Sequence, residues 1–154
     1  MYKYFKPIKK HDPFNYWLFE NILSKEIINT LCNLKIGMPL ILKNDGTREA
    51  NNESRVFFNK HNCNHYPIFK KVVNIFKDKN NINELSLLTK SNLNKGKLRI
   101  EYAIDYGNFW LTKHTDIDDK LLTFLIYLND SPSKQQWGTT LYNSDYSLFG
   151  NCPH

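Results

Sequence analysis

A histidine and an aspartate two positions apart, His114 and Asp116, are the residues of this chain best suited to hold a metal ion. On an extended segment, side chains i and i+2 point to one face, which would present imidazole and carboxylate together. The pair supplies two of the three ligands of a 2-His-1-carboxylate centre, the donor set that leaves positions open on iron(II). A His-x-Asp triplet also recurs by chance, and its plain alternative is a solvated aspartate at a strand end. A second group, His61-Asn62-Cys63-Asn64-His65, contains ligand types for zinc. It reads as alternation on a polar loop rather than as the paired elements of a structural zinc site. No Ser-His-Asp or Cys-His arrangement for a nucleophile is apparent, and no Gly-rich phosphate loop.

The elements that must position His114 and Asp116 follow from periodicity. Ser24 is an N-cap candidate, and Ile27, Ile28, Leu31 and Leu34 repeat at helical spacing, so a helix is expected to end at Gly37 before Pro39. Residues from Leu40 to Asn64 read as a polar loop with a turn at Asp45-Gly46 and a short strand at Arg55-Val56-Phe57-Phe58. Tyr66 to Asp78 predicts an amphipathic helix with Ile68, Phe69, Val72, Val73 and Phe76 on one side and Lys70, Lys71 and Lys77 on the other. A third helix is expected within Asn80 to Thr89. After Gly96 the pattern changes to period two. Strands are expected over Lys97–Ile104, Phe109–Asp116, Leu121–Leu128 (fully buried) and Thr139–Tyr142, with a turn at Tyr106-Gly107-Asn108. The layout is α+β in one domain: a helical and loop support region over 1–96, then antiparallel strands over 97–154.

Composition narrows the partners. With 154 residues, 41% hydrophobic and 14% aromatic, the chain can bury a core. The net charge of +6 comes from lysines spread along the sequence with no basic run, which reads as a solvated surface and disfavours nucleic acid as a partner. The three cysteines, Cys32, Cys63 and Cys152, are odd in number and widely spaced, as expected in a reducing compartment. The N-terminal residues lack the apolar core of a secretory signal, and no apolar run near the motifs spans a bilayer. A soluble cytoplasmic protein with no membrane partner is expected.

The stretch from about Leu98 to Tyr142 resembles the iron(II)- and 2-oxoglutarate-dependent oxygenases, in particular their prolyl-hydroxylase-like branch. The matching residues are Tyr102, Gly107, Phe109, His114-Thr115-Asp116, Lys120, Thr123, Tyr127-Leu128-Asn129 and Gly138-Thr139. Asp12-Pro13-Phe14 and Asp45-Gly46-Thr47-Arg48 are looser matches. The resemblance implies a double-stranded β-helix (a cupin-like jelly roll) backed by N-terminal helices, with Fe(II) held by His114 and ionised Asp116. It implies 2-oxoglutarate as cosubstrate, with Tyr127 placed against its far carboxylate. Tyr102 and Thr123 are further candidates for the cosubstrate pocket. For Tyr127 and Tyr102 the alternative is an aromatic packed in the core. The reaction implied is decarboxylation of 2-oxoglutarate to succinate, coupled to hydroxylation of a C–H bond in a small-molecule or peptide substrate.

The family pattern calls for a third ligand, a later histidine on a strand, followed by an Arg or Lys that pairs with the 2-oxoglutarate carboxylate. His154 is the one histidine after Asp116, in a loop-like context with no basic residue following. The expectation is an inactive or partial chain that stops inside the jelly roll. A non-catalytic basic binding module on the same strands is the alternative function. Neither the primary substrate nor the oligomeric state is legible.

Overall fold

The computed structural model of the chain describes residues 7–37, 45–47, 52, 54–105, 109–128 and 138–151. The expected turn at 106–108, Asn129, Cys152 and His154 lie outside the described residues, as do Pro39, Leu40 and Arg48. The fold mixes helix and strand: four α-helices and three two-stranded antiparallel sheets among the described residues. The chain divides into two compact units, a terminal unit of Met1–Leu34 with Leu125–His154 and a central unit of Lys35–Phe124. No helix among the described residues is long and apolar enough to cross a membrane.

In the terminal unit, β1 (Ile8–Lys10) and β2 (Tyr16–Leu18) form a hairpin whose register pairs Lys9 with Trp17. The turn chemistry of His11 to Asn15 closes it, and His11 Nδ1 and Asn15 Oδ1 lie 3.0 Å apart. Helix α1 (Lys25–Cys32) begins where the sequence places it, with Ser24 Oγ accepting from the Ile27 N–H at 3.3 Å. It stops before Gly37, because Asn33 serves as C-cap and donates from both its backbone N–H and its side chain to the Asn29 carbonyl. Among the described residues, Ile22, Leu23, Ile27, Leu31 and Leu141 are the buried apolar residues of this unit. Leu141 lies on β5 (Thr140–Tyr142), the expected strand. It pairs with β6 (Leu148–Asn151) through a turn in which Asp145 accepts from the Ser147 N–H at 2.9 Å.

In the central unit, β3 (Arg55–Phe57) pairs with β4 (Glu101–Ala103) in the register Val56 with Tyr102. β3 lies within the expected short strand Arg55–Phe58, whereas β4 covers only three residues of the strand expected over Lys97–Ile104. Residues directly opposite one another share a face, so Val56 and Tyr102 lie on one side, and Arg55, Phe57, Glu101 and Ala103 on the other. Arg55 is buried at its guanidinium, 3.2 Å from Asp105 and 5.3 Å from the Phe109 ring centre.

Three consecutive helices complete this unit: α2 (Lys60–His65), α3 (Pro67–Lys77) and α4 (Lys79–Thr89). Helix α3 carries Ile68, Phe69 and Val72 inward and Lys70, Lys71 and Lys77 outward, as its periodicity predicts. Phe69 is fully buried and stacks on Phe58 with ring centres 3.8 Å apart. Asp78 caps α4 by accepting from the Asn80 and Asn81 N–H groups at 3.0 and 3.2 Å. Helix α2 replaces the expected loop at His61 to His65. It has no apolar stripe to announce it and is nucleated by Asn59, whose side chain accepts from the Asn62 N–H at 2.9 Å.

Two expected strands are absent as regular structure among the described residues: Phe109–Asp116 and Leu121–Leu128. The first takes a hydrogen bond from Thr112 N–H to the Gly46 carbonyl at 2.8 Å. Gly46 has φ +80°, in the left-handed region that glycine adopts readily. The second run alternates exposed and half-covered residues from Leu121 to Ile126, with Leu125 55% exposed. It is one-sided rather than fully buried, and among the described residues it pairs with no strand.

Candidate metal-ligand pair

His114 and Asp116 are presented by an irregular segment tied to a distant turn. Asp45 builds that turn by accepting from the Thr47 N–H at 2.9 Å and the Thr47 hydroxyl at 2.7 Å. Gly46 lies so close under the Trp110 ring that an added Cβ would come within 2.2 Å of it. The Gly46 carbonyl then takes the Thr112 N–H, and the Thr112 carbonyl takes His114 Nδ1 at 2.6 Å. A carbonyl only accepts, so Nδ1 carries the proton. In the neutral ring, the lone pair is therefore on Nε2. That second nitrogen is the one a supported metal-ligating histidine uses.

Asp116 is the better-held member of the pair. Lys120 Nζ donates to its Oδ1 and the Thr123 hydroxyl donates to its Oδ2. Partial burial works to raise its pKa. The hydrogen bonds from Lys120 and Thr123, then the charges of Lys120 and His114, outweigh that and hold the carboxyl below the usual aspartate value. The depressed pKa fixes the sign of its linkage. Its stabilising contribution is present above the unfolded-state pKa, hence at neutral pH, and is lost as pH falls through the lower folded value. Lys120→Met removes both a hydrogen bond and a charge, so the Asp116 pKa is expected to rise. Carboxyl-carbon NMR titration would measure this, and an unmoved midpoint would show that the ion pair does not act on Asp116.

Of the residues singled out in the sequence, the structure brings together His114, Asp116, Lys120 and Thr123, all in the central unit. Thr123 stands on the Asp116 carboxylate. Tyr102, in the same unit, is half-buried on β4 with its ring 6.3 Å from Phe69. Tyr127 belongs to the terminal unit, where its hydroxyl lies 2.6 Å from Thr139 Oγ1 and accepts the Thr139 N–H at 3.0 Å. The supporting chain through Gly46, Thr112 and His114 was not foreseen. Its signal was the Asp-Gly turn, but nothing in the sequence paired that turn with Thr112.

An imidazole nitrogen and a carboxylate oxygen suit iron(II) and its first-row neighbours. By donor type the two match the group the resemblance implies, while the Asp116 oxygens are already bonded to Lys120 and Thr123. No cluster of three or more His, Cys, Asp or Glu residues able to hold a metal occurs among the described residues, and His154 lies outside them. No known family model, curated protein or solved structure matches the chain.

Proposed function

We propose that the chain is an iron(II)- and 2-oxoglutarate-dependent dioxygenase of the prolyl-hydroxylase-like branch. Its strands would belong to a double-stranded β-helix, and its substrate would be a small molecule or a peptide carrying the C–H bond to be hydroxylated. The observation that carries the reading is the hydrogen bond from His114 Nδ1 to the Thr112 carbonyl, which leaves the Nε2 lone pair as the donor, two residues before an ionised Asp116. Iron(II) with 2-oxoglutarate supplies the oxidising chemistry when bound. The chain's own part is to fix the two donors. Thr112 orients the imidazole, while Lys120 and Thr123 hold the carboxylate deprotonated. Tyr102, on β4 of the same unit, remains a residue proposed for the cosubstrate.

The test uses the full chain with Fe(II), with and without 2-oxoglutarate. Binding is read as quenching of tryptophan fluorescence, since Trp110 lies four residues before His114, and turnover is read as succinate. Metal-dependent quenching that His114→Ala abolishes is the expected result, and succinate formation would overturn the expectation of an inactive or partial chain. Quenching that survives His114→Ala in a chain that also carries His61→Asn would remove the metal site. Binding of both ligands with no succinate would favour the non-catalytic binding module.

A further inference from the structure

We propose that α2 is a second metal site, in which His61 and His65 chelate one divalent transition ion across a single helical turn. The inference is independent of the reading of His114 and Asp116.

The six residues Lys-His-Asn-Cys-Asn-His form a helix, so His61 and His65 stand at i and i+4. Such residues lie one above the other on one face, about 5–6 Å apart at Cβ. That is the arrangement in which helices present paired imidazoles to zinc. What seemed an alternation on a loop is therefore a His-x3-His pair.

The neighbouring residues decide which side chains remain available. Asn62 Nδ2 donates to the Phe57 carbonyl at 2.8 Å, and Cys63 Sγ contacts the Phe58 carbonyl at 3.5 Å. Both are thereby turned onto the backbone leading out of β3. Cys63, the attractive zinc ligand by residue type, is committed to that side. His61 and His65 are exposed. The His65 ring stands edge-on to Tyr66 with centres 4.5 Å apart and planes at 85°, which restrains one of the two ligands before any ion arrives.

Two neutral imidazoles select borderline ions such as Ni2+, Cu2+ and Zn2+. Among the described residues no third His, Cys, Asp or Glu joins the pair into a larger group, so water completes the coordination. The ion would act as a clip on a short helix. Its effect would pass through Tyr66, which closes α2, begins α3 and lies 5.1 Å from the Phe69 ring.

The test is calorimetric titration of the full chain with Ni2+, comparing wild type with His61→Asn, His65→Asn and His114→Asn. Removing a group that merely supports a ligand already costs about 10–100-fold in metal affinity. Loss of either His61 or His65 is thus expected to weaken one binding step by more than that lower bound, with His114→Asn leaving the same step unchanged. A double variant, Lys60→His with His61→Asn, keeps the number of histidines but breaks their i,i+4 spacing, and it should bind as weakly as His61→Asn. Far-UV circular dichroism identifies any variant that has lost its helices. Unchanged affinity in His61→Asn, or full affinity in the spacing variant, would overturn the site.

Discussion

Phe69→Ala is expected to destabilise the central unit by about 3–5 kcal/mol, the range for truncating a buried aromatic without collapse of the cavity. Phe69 has no solvent exposure and sits where three elements meet. Its ring stacks on Phe58 after β3, touches Tyr66 at the start of α3 and faces Tyr102 on β4. Removing it takes away the ring against which Phe58, Tyr66 and Tyr102 pack. The internal comparison is Leu87→Ala on α4, where the side chain is 82% exposed and an effect within about 0.5 kcal/mol is expected. Urea unfolding followed by circular dichroism distinguishes the two. Similar midpoints for both variants would mean that the Phe58–Phe69–Tyr102 cluster is not the core.

The second large effect is at Gly46. Alanine there meets two obstacles: a left-handed backbone, which costs an L-residue about 1–2 kcal/mol, and the Trp110 ring, 2.2 Å from the new Cβ. The ring must move, and with it the segment that reaches Thr112 and His114. Gly46→Ala is therefore expected to lower stability by more than the backbone term alone, to change the near-UV signal of Trp110, and to weaken metal binding at His114. Gly37→Ala is the control, because open space surrounds that glycine. If the two substitutions behave alike, the Gly46 carbonyl does not support the His114 segment.

What the sequence conveyed depended on whether a local pattern was enough to define the element. Helix α1 carries its own cap in Ser24 and helix α3 its own stripe of Ile68, Phe69 and Val72, and a helix was also expected within Asn80 to Thr89, where α4 lies. Strands β3 and β5 were legible as short segments, and β4 as part of the alternating run Lys97–Ile104. Helix α2 was not, since its six polar residues have no apolar face and depend on Asn59 and the Phe57 and Phe58 carbonyls. The runs at Phe109–Asp116 and Leu121–Leu128 failed in the opposite sense. Their composition suits a strand, but a strand also needs a partner, and pairing is not written in the residues of one segment. The same limit applies at the site. His114 and Asp116 were visible as a pair, and Lys120 and Thr123 as neighbours in the resemblance. The Gly46–Thr112 support links residues too far apart in sequence to be paired by inspection.

Helices α2, α3 and α4 share their junction residues: Tyr66 closes one and opens the next, and Asp78 does the same further on. No slack separates them. An inserted or deleted residue at either junction would turn the following helix by about 100°, swinging Phe69 or Leu85 out of the core. At these two junctions, length variation would therefore act as a rotation of the following helix rather than as a local addition.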